Sequence, residues 1–574
     1  MTEDPWRDLT EAIDVLIRTG EEALGWPRMD VPLELPAPQF GDLALPTHAY
    51  AKTARAPPPE IAARFSEAMP PRGDYVSRHE PVAGYVNFHL DLGPFAEHTL
   101  RAVLHASEDY GRSAPNGLRA LVEHTSVNPT GPIHVGRARN SIIGDTLARL
   151  LDQTGYEVTR EFLVNDSGRQ VLTLLWGLDN LREKDVEPPA REGEDYRLVR
   201  YYQKAMEAAT DPAVTEEVDG LVRRLEEGDE KLRRRVRAVT EQMMDGILRS
   251  LRRLDIGFDS LFWDDQVLAD GSAQQVVERL RDGGHLEEEE GAFYIDMAPH
   301  GFAGRNPRWF LTRRDGTTLY TTRDLAYHLD KFGRTDKALN VLGEDHRLEF
   351  QQLSVALRML GVEQEAEAVF LAFVSLPEGR LSTRGGRVVN LDDLVDEAVE
   401  RALVAVKARR EDLSEEEMTR IAEAVGIGAV RYNIVKVQPE KRILFRWDQA
   451  LSLEGQTAPF LQYAYARASG ILGKAAGLDG WDARLLTHPQ ERALVKLLAR
   501  YPGVLRDAAE RRRPNRVALF GHELATTFNQ FYRDAPVLQA EEGLRAARLA
   551  LVTAFKTVLG NLLSSLGIQP LEEM

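Results

Sequence analysis

One junction constrains this chain more than any other. Leu121 and Val122 lie in a short apolar run that reads as a strand. The chain then turns through a loop carrying Pro129, Gly131 and Pro132, and His134-Val135-Gly136-Arg137 opens a helix with the stripe Ile143, Leu147, Leu150 and Leu151. Gly155-Tyr156 ends that helix, and Glu157 to Val164 returns as a second strand. Strand, loop, helix, strand is the repeating unit of an α/β domain with a parallel sheet. In such sheets ligands bind outside the carboxyl ends of the strands, and a helix N-terminus offers unpaired amides to a phosphate. His134 adds a side-chain donor, and Gly136 lets a flat ring approach the backbone without a Cβ in the way. On these four residues alone, a histidine that caps a helix and a glycine that fits a tight turn is the plainer reading.

The rest of the chain shows what surrounds that junction. At 574 residues it has room for about three to five domains. Residues 1–115 form a mixed segment that opens with an amphipathic helix (Leu9, Ile13, Leu16, Ile17) and contains an alternating strand, Gly84 to Leu90, with Tyr85, Asn87 and His89 on one face. Residues 116–375 alternate strands and helices, interrupted at about 180–256 by a long polar helical stretch that reads as an insertion. A connecting segment, 376–410, leads to 411–574, where stripes such as Val552, Phe555, Leu559, Leu562 and Leu566 mark a helical bundle. The expected fold is therefore multidomain α/β plus all-α. A Rossmann-type parallel-sheet domain with a helical insertion would stand between an α+β N-terminal domain and a C-terminal helical bundle.

Composition removes several functions. There is no cysteine, which excludes disulfides, thiolate nucleophiles and Cys-ligated metal centres. The 13 histidines form no His-x-x-x-His pair, so no metal site is expected. With 72 basic and 90 acidic residues the net charge is −18, which rules out a uniformly basic nucleic-acid coat but not a local basic groove. Only 12 of the cations are lysines, and none falls between Lys52 and Lys184 or between Lys337 and Lys407. No apolar run reaches the roughly 18 residues of a spanning helix, and Met1 to Pro5 shows no secretory pattern. A soluble, cytoplasmic monomer with no membrane partner is the expectation.

The junction extends into a longer pattern. Asn128-Pro129-Thr130-Gly131-Pro132 precedes it, and Arg139-Asn140-Ser141-Ile142-Ile143-Gly144-Asp145 and Val164-Asn165-Asp166-Ser167-Gly168-Arg169-Gln170 follow. Further along come Asp315 to Asp324, Val341-Leu342-Gly343-Glu344-Asp345-His346, the loop Gly379-Arg380-Leu381-Ser382-Thr383-Arg384-Gly385-Gly386, and Leu461-Gln462-Tyr463-Ala464-Tyr465-Ala466-Arg467. With these segments in this order, the chain resembles the class I aminoacyl-tRNA synthetases, whose first signature is His-x-Gly-His. Within that class it is similar to the arginyl-tRNA synthetase family over nearly its whole length.

The resemblance implies activation of arginine by ATP and its transfer to tRNA(Arg), with Mg2+ arriving on the ATP phosphates. It implies that His134, Gly136 and Arg137, with the loop residues Arg380, Leu381, Ser382 and Arg384, hold ATP and the departing pyrophosphate. It also assigns arginine to Glu123, Asn128, Tyr320, Asp324 and His346. A guanidinium is planar and permanently charged, so carboxylates and flat acceptors suit it. Asp324 could equally serve a salt bridge, and Tyr320 simple packing. For tRNA the resemblance points to Tyr85 and Asn87 in the N-terminal domain and to Gln462, Tyr463 and Arg467 in the bundle, the family's anticodon-binding domain.

The chain departs from the family in two places. Arg137 stands where the first signature has its second histidine, and the signature loop lacks the family's lysines, leaving Arg380 and Arg384 as its cations at the matching places. A synthetase for another amino acid and an RNA-binding relative without activity are the alternatives. Phe520, Leu524, Phe528 and Phe531 are expected in the core; Arg511 to Arg516 is as readily a solvated helix end as a phosphate contact.

Overall fold

A computed structural model describes residues 3–302, 307–376, 379–380, 383–384, 387–475 and 480–574. The N-terminal domain packs the helix Pro58–Ala68 on a three-stranded antiparallel sheet, with the helix Pro5–Leu24 against that helix. Its strands are β1 (Leu43–Pro46), β2 (Val76–Val82) and β3 (Tyr85–Leu90), with β3 in the centre. The expected stripe Leu9, Ile13, Leu16 and Ile17 is buried, its helix packing on Pro58–Ala68, Leu92–Ala106 and Pro489–Glu510.

The central sheet contains β4 (Arg119–Glu123), β5 (Glu157–Val164), β6 (Ser260–Trp263), β10 (Lys337–Gly343) and β11 (Glu367–Leu371), all parallel, in the order β11-β10-β4-β5-β6. The chain runs outward from β4 through β5 to β6, then returns to the other side for β10. The strand order therefore reverses between β4 and β10, the place where doubly wound sheets bind ligands. Ala120, Leu121 and Val122 are at most 1% exposed, as a central parallel strand covered on both faces requires. The helix Ala138–Gln153 follows the junction and is buried along nearly its whole length, between the sheet and the bundle.

Between β5 and β6 lie the helices Arg169–Asn180, Glu194–Ala208, Pro212–Glu226 and Glu230–Arg252. The basic cluster of the last one is neutralised by its neighbours: Arg233 by Glu230 and Asp265, Arg235 by Asp179, and Arg237 by Asp166. A meander of β7 (Glu287–Glu289), β8 (Ala292–Asp296) and β9 (Arg308–Phe310) precedes the helix Tyr320–Arg334.

The C-terminal helices Glu415–Val435, Ala458–Leu472, Pro489–Glu510, Asn515–Asp534 and Glu542–Ser565 form the bundle. Phe520, Leu524, Phe528 and Phe531 are core, with Phe528 stacked on Phe555 at 3.8 Å. Glu542–Ser565 is long and apolar enough to cross a membrane, but its apolar window is mostly buried inside the protein. The Arg511 to Arg516 run is a fastening. Arg512 pairs with Glu367 on β11, Arg513 with Glu440, and Arg511 and Arg516 with Asp507.

Candidate active site and RNA-facing surfaces

The site begins with a strained turn. At the end of β4, Thr125 and Ser126 both have positive φ, 70° and 38°, a conformation that costs about 1–3 kcal/mol at a non-glycine residue. Asn140 holds it in place: its Oδ1 accepts the Thr125 amide at 2.6 Å, and its Nδ2 donates to the Val341 carbonyl at 2.7 Å. One side chain thus ties the ends of β4 and β10 together across the switch point. Ser126 Oγ adds a bond to Glu123 at 3.0 Å and accepts the Leu163 amide of β5 at 3.2 Å. Val127, Ile133 and Val135, all buried, anchor the loop that delivers His134.

His134 is the N-cap of the turn Val135–Arg137, and its Nδ1 accepts the Gly136 amide at 3.0 Å. With that lone pair engaged, the neutral ring carries its proton on Nε2, a donor suited to a phosphate oxygen. The capping role and the phosphate role are therefore compatible. Gly136 and Arg137 are exposed, and Arg137 has no ion-pair partner among the described residues.

The signature loop is rooted on this same turn. Val135 N donates to Val389 O at 3.1 Å, Leu391 N donates to Ile133 O at 2.9 Å, and His134 bridges Asn390. Arg380 and Arg384 lie in the short strands Gly379–Arg380 and Thr383–Arg384, with only their backbone described. Leu381 and Ser382 lie outside the described residues.

The helix Tyr320–Arg334 carries the other wall. Its C-terminal half is fixed on the sheet by polar ties. Tyr327 Oη donates to Glu161 at 2.9 Å, Arg334 makes two bonds to Glu161 at 3.0 Å, and Lys331 donates to Asn340 at 2.7 Å and to Glu123. Its first two turns then carry Tyr320 and Asp324 on one helical face. Tyr320 is 59% exposed. Asp324's side chain is 45% accessible. Desolvation alone would raise the Asp324 carboxyl, but His328, Lys331 and His346 outweigh it and hold it below the usual carboxylate range. Burial, then the proximity of Glu349, pushes the Tyr320 hydroxyl up. His346, just after β10, sits 3.2 Å from Glu349 through Nδ1.

Asn128 is exposed and faces the loop after β5, donating to Gln170 at 2.9 Å with Asn165 beside it. Arg323 donates to Ser167 at 2.6 Å and so joins that loop to the Tyr320–Arg334 helix. Glu123 is 7% exposed and already engaged by Lys331. Asp324 is therefore the more accessible of the two expected carboxylates. Sequence reasoning missed Lys331, His328 and Glu349. The i,i+4 spacing of Asp324 and His328 was the one local signal available.

The expected RNA-facing residues divide. Tyr85 is 36% exposed, but Asn87, two residues on and covered by the chain at Gly41, is 3% exposed, so Asn87 is corrected to a core position. Gln462 is also corrected. It is fully buried, and its Nε2 donates to the carbonyls of Ala424 at 3.1 Å and Gln569 at 2.9 Å. Tyr463 and Arg467 are accessible, and the Arg467 guanidinium lies 4.7 Å from the Tyr463 ring centre and 4.8 Å from that of Tyr532. Tyr532, itself exposed, completes a Tyr–Arg–Tyr surface that the sequence reading did not include. Tyr463 also lines a cavity of about 1170 Å³ with Trp447, Arg401 and Met574.

Comparison with known proteins agrees with this architecture. Residues 99–447 match the family described as tRNA synthetases class I (R), catalytic domain, which places the sheet and its junction in the class I synthetases. Residues 9–90 match the arginyl tRNA synthetase N terminal domain, and 461–574 match the DALR anticodon binding domain. Arginine–tRNA ligase of Methanocella arvoryzae is 44% identical over 91% of this chain and 92% of its own. That of Methanothrix thermoacetophila is 38% identical over 99% of this chain and 100% of its own. The solved Thermus thermophilus arginyl-tRNA synthetase superposes with a TM-score of 0.83 at 28% identity, over 98% of this chain and 99% of that one. The chain belongs to the arginyl-tRNA synthetase family.

Proposed function

We propose that this protein joins L-arginine to the 3′ end of tRNA(Arg) at the expense of ATP. An arginine carboxylate oxygen attacks the α-phosphorus, the bond to the β-phosphate oxygen breaks, and pyrophosphate leaves. A terminal ribose hydroxyl of the tRNA then attacks the activated carbonyl, and AMP departs. This chemistry needs positioning and charge neutralisation more than covalent help.

The geometry around His134 and Asp324 supports their roles, and the family resemblance suggests those of the signature loop. His134 Nε2–H and the amides at the start of its helix meet the phosphates. Arg137 and the guanidinium groups of Arg380 and Arg384 replace the family's histidine and lysines as cations, with Leu381 and Ser382 completing the loop. Each neutralises charge with a planar fork rather than a point ammonium. Mg2+ enters bound to ATP. Asp324 and Tyr320 receive the guanidinium, and Asn128 and His346 hold the α-amino and carboxylate groups. Tyr85 in the N-terminal domain, and Tyr463, Tyr532 and Arg467 in the bundle, offer stacking faces to unpaired tRNA bases. The observation that carries this reading is the stitching of the His134 turn to the root of the signature loop at the β4–β10 switch point.

Asp324→Asn tests it. The variant loses the charge but keeps the shape, and charge-assisted hydrogen bonds contribute about 1.5–3 kcal/mol. The arginine KM in tRNA charging should rise at least about tenfold, with the ATP KM little changed. A wild-type arginine KM would contradict the assignment.

A further inference from the structure

Directly behind Asp324 lies a buried polar chain that ends at the second acidic residue of the site. His328, one helical turn further on, is 3% exposed. Its Nδ1 lies 2.8 Å from the main-chain oxygen of Asp324 and 3.1 Å from Asp324 Oδ1. A carbonyl oxygen can only accept, so Nδ1 carries the hydrogen. In the neutral ring Nε2 is then the lone-pair nitrogen, and it faces the Lys331 ammonium at 3.5 Å. Lys331 is fully buried, lies 3.9 Å from the centre of the Tyr327 ring, and also donates to Asn340 and Glu123. Asp324, His328, Lys331 and Glu123 thus form one continuous series. The rings of Tyr327 and Phe350 hold His328 in place, with centroids at 5.7 and 6.3 Å.

The arrangement is more specific than packing requires. An apolar side chain would fill the space between Tyr327 and Phe350 without leaving polar atoms to satisfy. The imidazole instead places a donor behind an accessible carboxylate, and the ammonium behind it selects the tautomer that supplies the donor. An aspartate open to solvent has several rotamers, and holding one of them lowers the cost of receiving a rigid planar cation.

We propose that His328 is a positioning residue for arginine recognition, fixing the Asp324 carboxylate through an Nδ1–H shared with the Asp324 main-chain oxygen, in a tautomer that this oxygen and Lys331 both favour. This rests on the reading of Asp324 as a guanidinium partner. The same orientation would serve an arginine side chain and not a lysine, because only the planar fork depends on the carboxylate's plane.

His328→Leu, His328→Asn and Asp324→Asn, each in the full-length protein, test the idea in tRNA charging with arginine and ATP varied separately. His328→Leu removes the donor and fills the space. His328→Asn keeps an amide donor near the place of Nδ1. Loss of one hydrogen bond to a charged group corresponds to about a tenfold effect. His328→Leu should therefore raise the arginine KM about tenfold and leave the ATP KM within about twofold, while His328→Asn restores most of the arginine KM. The proposal is overturned if His328→Leu keeps a wild-type arginine KM while Asp324→Asn raises it. It is also overturned if the Leu and Asn variants are equally impaired, since the ring would then serve packing alone. If neither variant gives a cooperative melting transition, His328 is a core residue and the proposal is withdrawn. An unchanged arginine KM in Asp324→Asn would instead remove the underlying reading of the site.

Discussion

Arg431 offers a quantitative test of how the bundle holds the catalytic helix in place. It lies on the helix Glu415–Val435, is fully buried, and reaches three elements at once. Nε donates to Leu566 O at 2.8 Å, Nη1 to Leu254 O at 2.6 Å, and Nη2 to Asp145 on the helix that follows the His134 turn. Burial depresses the arginine's own proton affinity, with Asp145 opposing it. At Asp145 burial works to raise the carboxyl, but Arg431 and Arg149 overcome it. Desolvation therefore consumes much of the attraction within the pair. The cost of breaking it is less ambiguous. Arg431→Met fills most of the volume but leaves Asp145 with Arg149 alone, at 2.8 Å, and strands two carbonyls. A broken buried pair costs about 3–5 kcal/mol, and each unpaired buried acceptor about 1–3 kcal/mol. Taking the low end of each gives roughly 5 kcal/mol. With a denaturant slope of about 2–3 kcal/mol/M, the first urea transition should move down by about 2 M. Arg431→Lys, which keeps the charge but not the fork, should fall between the two. A midpoint for Arg431→Met within about 0.3 M of wild type would refute the reasoning.

Two further outcomes follow from the same structure. His124 is 1% exposed, with burial holding its imidazole down at about 4 against a usual 6.5. Between those pH values the unfolded chain binds the proton and the folded one does not, so stability is full above about 6.5 and is lost as pH falls toward 4, by up to roughly 3 kcal/mol. His124→Asn should flatten the urea midpoint across that window; an unchanged slope would contradict the assignment. On the bundle, Tyr463→Ala should raise the KM for tRNA about fivefold or more, since base stacking contributes about 1–3 kcal/mol, with the arginine KM unaffected. A tRNA KM within about twofold of wild type would remove Tyr463 from the interface.

Much of this architecture was legible in the residues because the signals are local. The Gly/Pro loop between an apolar strand and an amphipathic helix announced the junction at His134, and the i,i+4 spacing of Tyr320 and Asp324 needed only a helix to bring them together. What stayed hidden depends on partners far along the chain. Lys331 reads as an ordinary helix lysine until Glu123 and Asn340 close around it. Asn87 and Gln462 are polar, and polarity suggests exposure. One is covered by the chain at Gly41, however, and the other satisfies carbonyls at Ala424 and Gln569. The Arg511 to Arg516 run was likewise ambiguous until Glu367 and Glu440 appeared opposite it.

Whether one crevice holds both halves of the reaction is read most directly from a crystal structure of the protein with tRNA(Arg) and a non-hydrolysable arginyl-adenylate analogue. The guanidinium should lie within hydrogen-bond reach of Asp324, about 2.7–3.2 Å, with the phosphate at His134 Nε2 and the signature loop folded over it. An analogue bound with its phosphate away from His134, or with Asp324 facing a separate cavity, would contradict the proposed site.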